Sequence, residues 1–375
     1  MNIVNASMRK LLPLCCMTLG CMTLAVTAFA HDNDNDGDDH AMHTAYTNHV
    51  LVSNGAVSAD FTDPNLVNGW GIVFGPTTPV WVADNGSGKS TLYAGTGKPV
   101  PLVVTIPGVM GQSGNPTGIV FNISTTDFAF TTTSSTGTTT SSVSRFIFAT
   151  ESGTIAAWSG GTTAVTVVDS SPWGAVYKGL AYGANGVSHV LYAADFHNNR
   201  VDVFDSTFKP VTLAAGAFKD PHLPWGYAPF GIQAINGDIY VSYAKQDADA
   251  HDEIAGPGKG FVDVYDADGK FISRVASREG LNAPWGMALA PASFGEFGGA
   301  LLVGNFGDGT ISAYSPVSGR FLGMLKDAMH HTLKVDGLWG IAFGNGVQSQ
   351  KTNALYYAAG PNDEANGAYG VIWAQ

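Results

Sequence analysis

The sequence predicts an all-β fold, a six-bladed β-propeller closed by pairing strands from its two ends, and three observations carry that expectation. A short phrase, glycine followed by an aliphatic, a small or apolar and an apolar residue, returns six times along the chain. Each return leads into a second apolar run with strand character. Glycine is abundant, 47 of 375 residues, and no repeat holds a convincing stretch of helical period. Units of roughly fifty residues with short strands and glycine-rich turns are the pattern of propeller blades.

The six copies are Gly71-Ile72-Val73-Phe74, Gly118-Ile119-Val120-Phe121, Gly179-Leu180-Ala181-Tyr182, Gly231-Ile232-Gln233-Ala234, Gly286-Met287-Ala288-Leu289 and Gly340-Ile341-Ala342-Phe343. They lie 47, 61, 52, 55 and 54 residues apart, and the fourth is the loosest, with Gln233 in its third position. The third repeat continues most clearly, from Leu191 to Asp195 and then Arg200 to Asp205, the latter alternating as a half-buried strand does. The glycine is expected to open the innermost strand, where six chains crowd an axis and a side chain does not fit. The longest interval holds the Ser/Thr-rich stretch Thr131–Ser144, read as a long hairpin loop or a mobile excursion. Tyr369–Trp373 ends the chain without an outer strand of its own, and His49–Val52 is expected to supply it and close the ring.

Ahead of the propeller, assigned to residues 49–375, stand two shorter segments. Arg9 and Lys10 precede an apolar run from Leu11 to Phe29 that ends in Ala28-Phe29-Ala30, so residues 1–30 read as a secretory signal peptide cleaved after Ala30. Thr18 stands where a lipoprotein box wants a large aliphatic residue. All three cysteines, Cys15, Cys16 and Cys21, lie in this segment, which excludes disulfides, zinc–thiolate sites and cysteine nucleophiles from the mature protein. A periplasmic or secreted monomer follows, with no membrane attachment after cleavage. Residues 31–48 form a His/Asp-rich leader whose Asp32, Asp34, Asp36 and Gly37 begin like a calcium loop. The match fails at the twelfth position, His43, where a bidentate glutamate is needed. The segment reads as a flexible acidic leader, because mobile ligands lose entropy before they bind.

Composition narrows the function. Hydrophobic residues make up 45% of the chain and charged residues 13%, enough to bury a large core. The formal charge is −12, and a basic surface for nucleic-acid phosphates is absent from it.

In each blade the first and second strands run antiparallel, so the residue entering strand one lies beside the residue leaving strand two. The former are Trp70, Thr117, Lys178, Phe230, Trp285 and Trp339; the latter are Asp84, Glu151, Asp195, Lys245, Asn305 and Gly360. Aromatics, carboxylates and lysines at one channel mouth suit a small-molecule or protein ligand. The aromatics equally suit a plug. An insertion in the fourth blade offers Asp247, Asp249, His251, Asp252 and Glu253 on the same face, a donor set for Ca²⁺ or another divalent ion, or else a solvated acidic loop. His197 and His222 stand in turns, and no nucleophile elbow appears. Two functions compete: a binding or interaction module using the mouth, and a metal-dependent lactone or ester hydrolase with its ion at the axis.

The Leu191–Asp205 segment is similar to the NHL-type propeller repeat. The phrases Asn68-Gly69-Trp70-Gly71, Phe148-Ala149-Thr150-Glu151, Tyr227-Ala228-Pro229-Phe230-Gly231, Ala283-Pro284-Trp285-Gly286-Met287 and Gly304-Asn305-Phe306-Gly307-Asp308-Gly309 resemble a group of bacterial secreted conserved hypothetical proteins, some with a PEP-CTERM sorting tail. The resemblance implies a six-bladed propeller and no particular reaction. The last residues before Gln375 do not match the sorting tail.

Overall fold

The structure, a computed structural model, describes residues 44–186 and 188–375. The expected signal peptide and residues 31–43 of the leader lie outside the described residues. Six sheets follow one another around an axis. The first blade is Gly69–Phe74, Val80–Asp84, Lys89–Tyr93 and Val104–Thr105. The second is Pro116–Phe121, Phe146–Thr150, Thr154–Trp158 and Val165–Asp169, with the Ser/Thr-rich stretch folded into a separate hairpin, Ala129–Thr133 against Thr139–Val143. The third, Tyr177–Asn185, Ser188–Asp195 and Arg200–Phe204, has three strands among the described residues. Its fourth is reduced to a bridge between Phe204 and Pro210, since proline has no N–H with which to extend the ladder.

The fourth blade is Tyr227–Ile235, Asp238–Lys245, Phe261–Tyr265 and Phe271–Ser277, and the fifth is Pro284–Leu289, Leu301–Asn305, Ile311–Tyr314 and Phe321–Met324. The sixth joins Leu338–Phe343, Ala354–Ala359 and Ala368–Ala374 to Tyr46–Ser53 from the other end of the chain. His49 pairs with Val371 in that closing ladder, which begins three residues earlier than the expected boundary, at Tyr46.

Each inner strand packs against the next around the full ring. The repeat glycines make this possible. A Cβ on Gly71, Gly118, Gly179, Gly231, Gly286 or Gly340 would come closer than 3.0 Å to the backbone of the following blade's inner strand. Between neighbouring blades lies one apolar layer, and a second strand buried on both faces feeds two of them. Val80 and Val82 enter the layer shared with the sixth blade, while Trp81 and Ala83 enter the layer shared with the second. That is why these strands read as continuous apolar runs.

Candidate functional site at the channel mouth

The aromatic residues entering strand one converge on the axis. Trp70 and Trp339 stack with centroids 3.5 Å apart, and Trp285 meets both edge-on at 6.0 and 5.8 Å. Phe230 lies 5.7 Å from Trp339, and Phe306 stacks on it at 4.1 Å. Trp70, Phe230 and Trp339 are at most 2% exposed, so the aromatics close the channel as a plug. Two of the three indoles are satisfied across blades, Trp285 Nε1 donating to the Lys178 carbonyl at 2.8 Å and Trp339 Nε1 to Asn68 Oδ1 at 3.2 Å, while Trp70 Nε1 is buried without a protein partner among the described residues. Thr117, the remaining polar residue in this set besides Lys178, donates to the Tyr177 carbonyl at 2.7 Å and ties two blades together.

Lys178 lies against this plug. Its ammonium stands 5.1 Å over the Trp70 ring, 2.5 Å from Glu151 Oε1 and 3.0 Å from Asp252 Oδ1, with the side chain 1% exposed. Burial works to lower its pKa, but the surrounding Glu151, Glu253 and Asp252 carboxylates hold it above the ordinary lysine value. Glu151 accepts a second hydrogen bond, 2.7 Å from Asn85 Nδ2. Partial burial pushes Asp252 up, yet Lys178 and His251 keep its carboxyl below the usual range. Glu253 is dominated by desolvation and sits at about 8. Glu364 completes the rim, accepting from Asn68 Nδ2 at 2.9 Å, and burial raises its pKa as well. Four carboxyl groups therefore surround one ammonium above an aromatic floor.

The residues leaving strand two do not form a cage with them. Side chains in a sheet stand perpendicular to it, so residues within strand two point into the layers between blades rather than toward the axis. Asp84 is buried beside Thr91, Asp63 and Tyr93, where desolvation pushes its carboxyl well above the ordinary range. Asp195 accepts from the Val176 amide and from Asn198, and pairs with Arg200. Asn305 accepts from the Asn282 amide and donates to the Gly280 carbonyl and Thr310. Lys245 turns to a side cavity of about 530 Å³, where it donates to the Trp225 carbonyl and lies 5.0 Å over that exposed ring. Gly360, in the sixth blade, has no side chain to contribute. Glu151 alone of the set reaches the axis, because its strand ends at Thr150 and it stands in the following turn.

The fourth-blade insertion divides in the same way. Asp252 and Glu253 face Lys178, and His251 Nδ1 lies 2.9 Å from Asp252 Oδ1. Asp247 is used to cap its own turn, accepting from the His251 amide at 2.9 Å, and Asp249 is exposed. Donor atoms of Glu151, His251 and Asp252 lie within 4.8 Å of one another, close enough to hold a divalent ion. Lys178 already donates to two of these three, so a divalent ion there would share both carboxylates with the ammonium and set its double charge directly against it.

Sequence reasoning did not find Asn68, Asn85, Phe306 and Glu364. Asn68 and Phe306 stand inside phrases that carry the resemblance to the secreted proteins, which implies no role for either. Glu364 lies in a turn where Asn362, Asp363 and Glu364 all adopt positive φ, with no counterpart in the other repeats.

Six radial sheets around a plugged axis, with a polar pit at one end, define a six-bladed β-propeller. No family model matches the chain. It is 32% identical over 339 residues to uncharacterized protein R648 of Acanthamoeba polyphaga mimivirus, spanning 88% of this chain and 80% of that protein. It is 31% identical over 337 residues to uncharacterized protein L690 of the same virus, spanning 86% and 84%. The chain belongs to the family of these proteins. These relatives are viral, whereas bacterial secreted relatives were expected from the sequence phrases. Similar solved structures include a streptogramin B lyase (14% identity, 89% of this chain and 99% of that chain, TM-score 0.48) and a glucose dehydrogenase (11%, 87% and 99%, TM-score 0.49).

Proposed function

We propose that this propeller is an exported ligand-binding module, and that the mouth above Lys178 takes a small cationic group such as a protonated amine. The observation that carries the reading is the charge imbalance: Glu151, Asp252, Glu253 and Glu364 against one ammonium. Even with Glu253 protonated near neutral pH, the pit keeps an excess of negative charge over an aromatic floor, and both features favour a cation. Export, action as a monomer in the periplasm or outside the cell, and kinship with the bacterial secreted group belong to the same proposal. They rest on the signal-like first thirty residues and the quoted phrases.

The alternative, a divalent-metal-dependent lactone or ester hydrolase, draws on the Glu151–His251–Asp252 group. It is the weaker reading because Asp84, Asp195 and Asn305 are engaged away from the axis and Lys178 stands beside the remaining donors. Calorimetric titration with spermidine and with Ca²⁺, alongside elemental mass spectrometry of the purified protein, separates the two. Saturable spermidine binding that is lost in Glu364→Gln supports the binding module. A stoichiometric metal that departs in His251→Ala, with no spermidine binding, replaces it with the enzyme.

A further inference from the structure

The channel has a second end. The inner strands run from the plug to the opposite face, where the later residues of the repeat phrase line a funnel of about 430 Å³. Its wall is apolar, with Ile72, Phe74, Ile119, Phe121, Ile341 and Phe343 prominent among its residues. Toward the plug it narrows to a throat of about 30 Å³ lined by Gly71, Gly118, Gly286, Gly340 and Trp285. The stacked pair Trp70–Trp339 lies beyond that throat, so the funnel is blind. A blind, apolar hollow of this size falls in the range of about 300–1,000 Å³ typical of small-molecule sites.

Tyr182 also lines the funnel, but its hydroxyl is buried, and Gln233 is the lining side chain that offers an accessible polar group. The third residue of the phrase is Val73, Val120, Ala181, Ala288 or Ala342 in five copies, but Gln233 in the fourth, and all six line the funnel. Gln233 is exposed to it, and its amide has no protein partner among the described residues. An amide both donates and accepts, so it can meet a carbonyl, a hydroxyl or an N–H. A single polar group on an otherwise apolar wall fixes the orientation of a ligand that is itself apolar except at one point.

We propose that this funnel binds a small, largely apolar molecule carrying one hydrogen-bonding group, which the Gln233 amide engages. The site is separate from the acidic mouth and does not depend on the reading given to it.

The test uses the full chain and N-phenyl-1-naphthylamine, an apolar fluorophore with one N–H. Saturable fluorescence enhancement is expected at one site per chain, with a Kd on the order of 10 µM. Ala342→Trp, which fills the funnel, should weaken binding at least tenfold; Val73→Phe serves if that variant does not fold by circular dichroism. Gln233→Leu should weaken the probe by roughly fivefold, the value of one hydrogen bond, while 1-phenylnaphthalene, which lacks the N–H, binds as well or better. Absence of saturable enhancement overturns the site. Enhancement indifferent to both filling variants places the probe elsewhere, and equal effects of Gln233→Leu on both probes remove the role of the amide.

Discussion

Lys178 and Glu151 form a 2.5 Å ion pair across the join between the second and third blades, with the lysine 1% and the glutamate 16% exposed. Lys178 is the second residue of its blade's inner strand, and Glu151 stands one residue past the end of its blade's second strand. The pair therefore links two blades over the plug and sets the charge of the mouth. Taking these charges out of water is costly, and it is offset only because each partner has further contacts: Asp252 and the Trp70 ring for the lysine, Asn85 for the glutamate.

Lys178→Met should accordingly destabilise the protein by about 3 kcal/mol, because Glu151 is left without its buried counter-charge. The double variant Lys178→Met with Glu151→Gln should recover part of that loss, giving a coupling energy of roughly 1–2 kcal/mol. Urea unfolding of the four proteins provides the cycle. Strictly additive losses would mean that the two side chains do not act as a pair.

Glu253 makes the mouth pH-sensitive. Burial raises its folded pKa from the ordinary 4.5 to about 8. A carboxyl raised in this way favours the folded state while protonated, so its contribution is complete below about pH 4.5 and is lost as pH rises through about 8. Glu364, raised by the same cause, acts in the same direction. The stability of the wild type relative to Glu253→Gln should therefore fall between about pH 4.5 and 8, by on the order of 1–3 kcal/mol. Urea midpoints across that range are the measurement. A constant difference between the two proteins would place Glu253 in water. Over the same interval spermidine should bind more tightly, since the pit gains a negative charge.

The ring was legible in the sequence because its cause is local and repeated. The glycine phrase marks the one place in each blade where backbone meets backbone, and the strand runs after it carry a period that reflects burial. Closure was legible for a related reason, since Tyr369–Trp373 and His49–Val52 both have strand character, and the two segments pair. The mouth was only partly legible. Trp70, Lys178, Phe230, Trp285 and Trp339 meet as their equivalent positions imply. Asp84, Asp195, Lys245 and Asn305 occupy equivalent positions too, but equivalence along a strand does not say which way a side chain leaves it. Glu364 and Asn85 come from turns that obey no repeat, and only the folded chain brings them to the rim.

Gly231 offers a direct test of the close approach at the axis. Its Cβ would meet the Trp285 carbonyl, which cannot move without displacing an inner strand, and Ser242 Oγ, which is held by the Gly231 amide and the Pro284 carbonyl. Gly231→Ala should cost about 2–4 kcal/mol by overpacking. Gly160 is exposed, with nothing within 4 Å of a Cβ, and Gly160→Ala should stay within about 0.5 kcal/mol of the wild type. Equal thermal melting of the two variants would mean that the repeat glycines serve turns and not the ring.

Trp339 is the centre of the plug, touching Trp70, Phe230, Trp285 and Phe306 and holding Asn68 through its ring nitrogen. Trp339→Ala should cost about 3–5 kcal/mol, the range for a large aromatic removed from a core that cannot collapse around the void. The void would be apolar on its walls, and such cavities stay dry and accept apolar guests of matching shape. Indole restores the missing ring, so millimolar indole should raise the melting temperature of Trp339→Ala while leaving the wild type unchanged. Asn68 would regain its donor from the indole N–H, and 1-methylindole, which lacks that donor, should rescue less. A variant that melts like the wild type would show that the plug is dispensable. One that is destabilised but indifferent to indole would show that the neighbouring rings close over the gap.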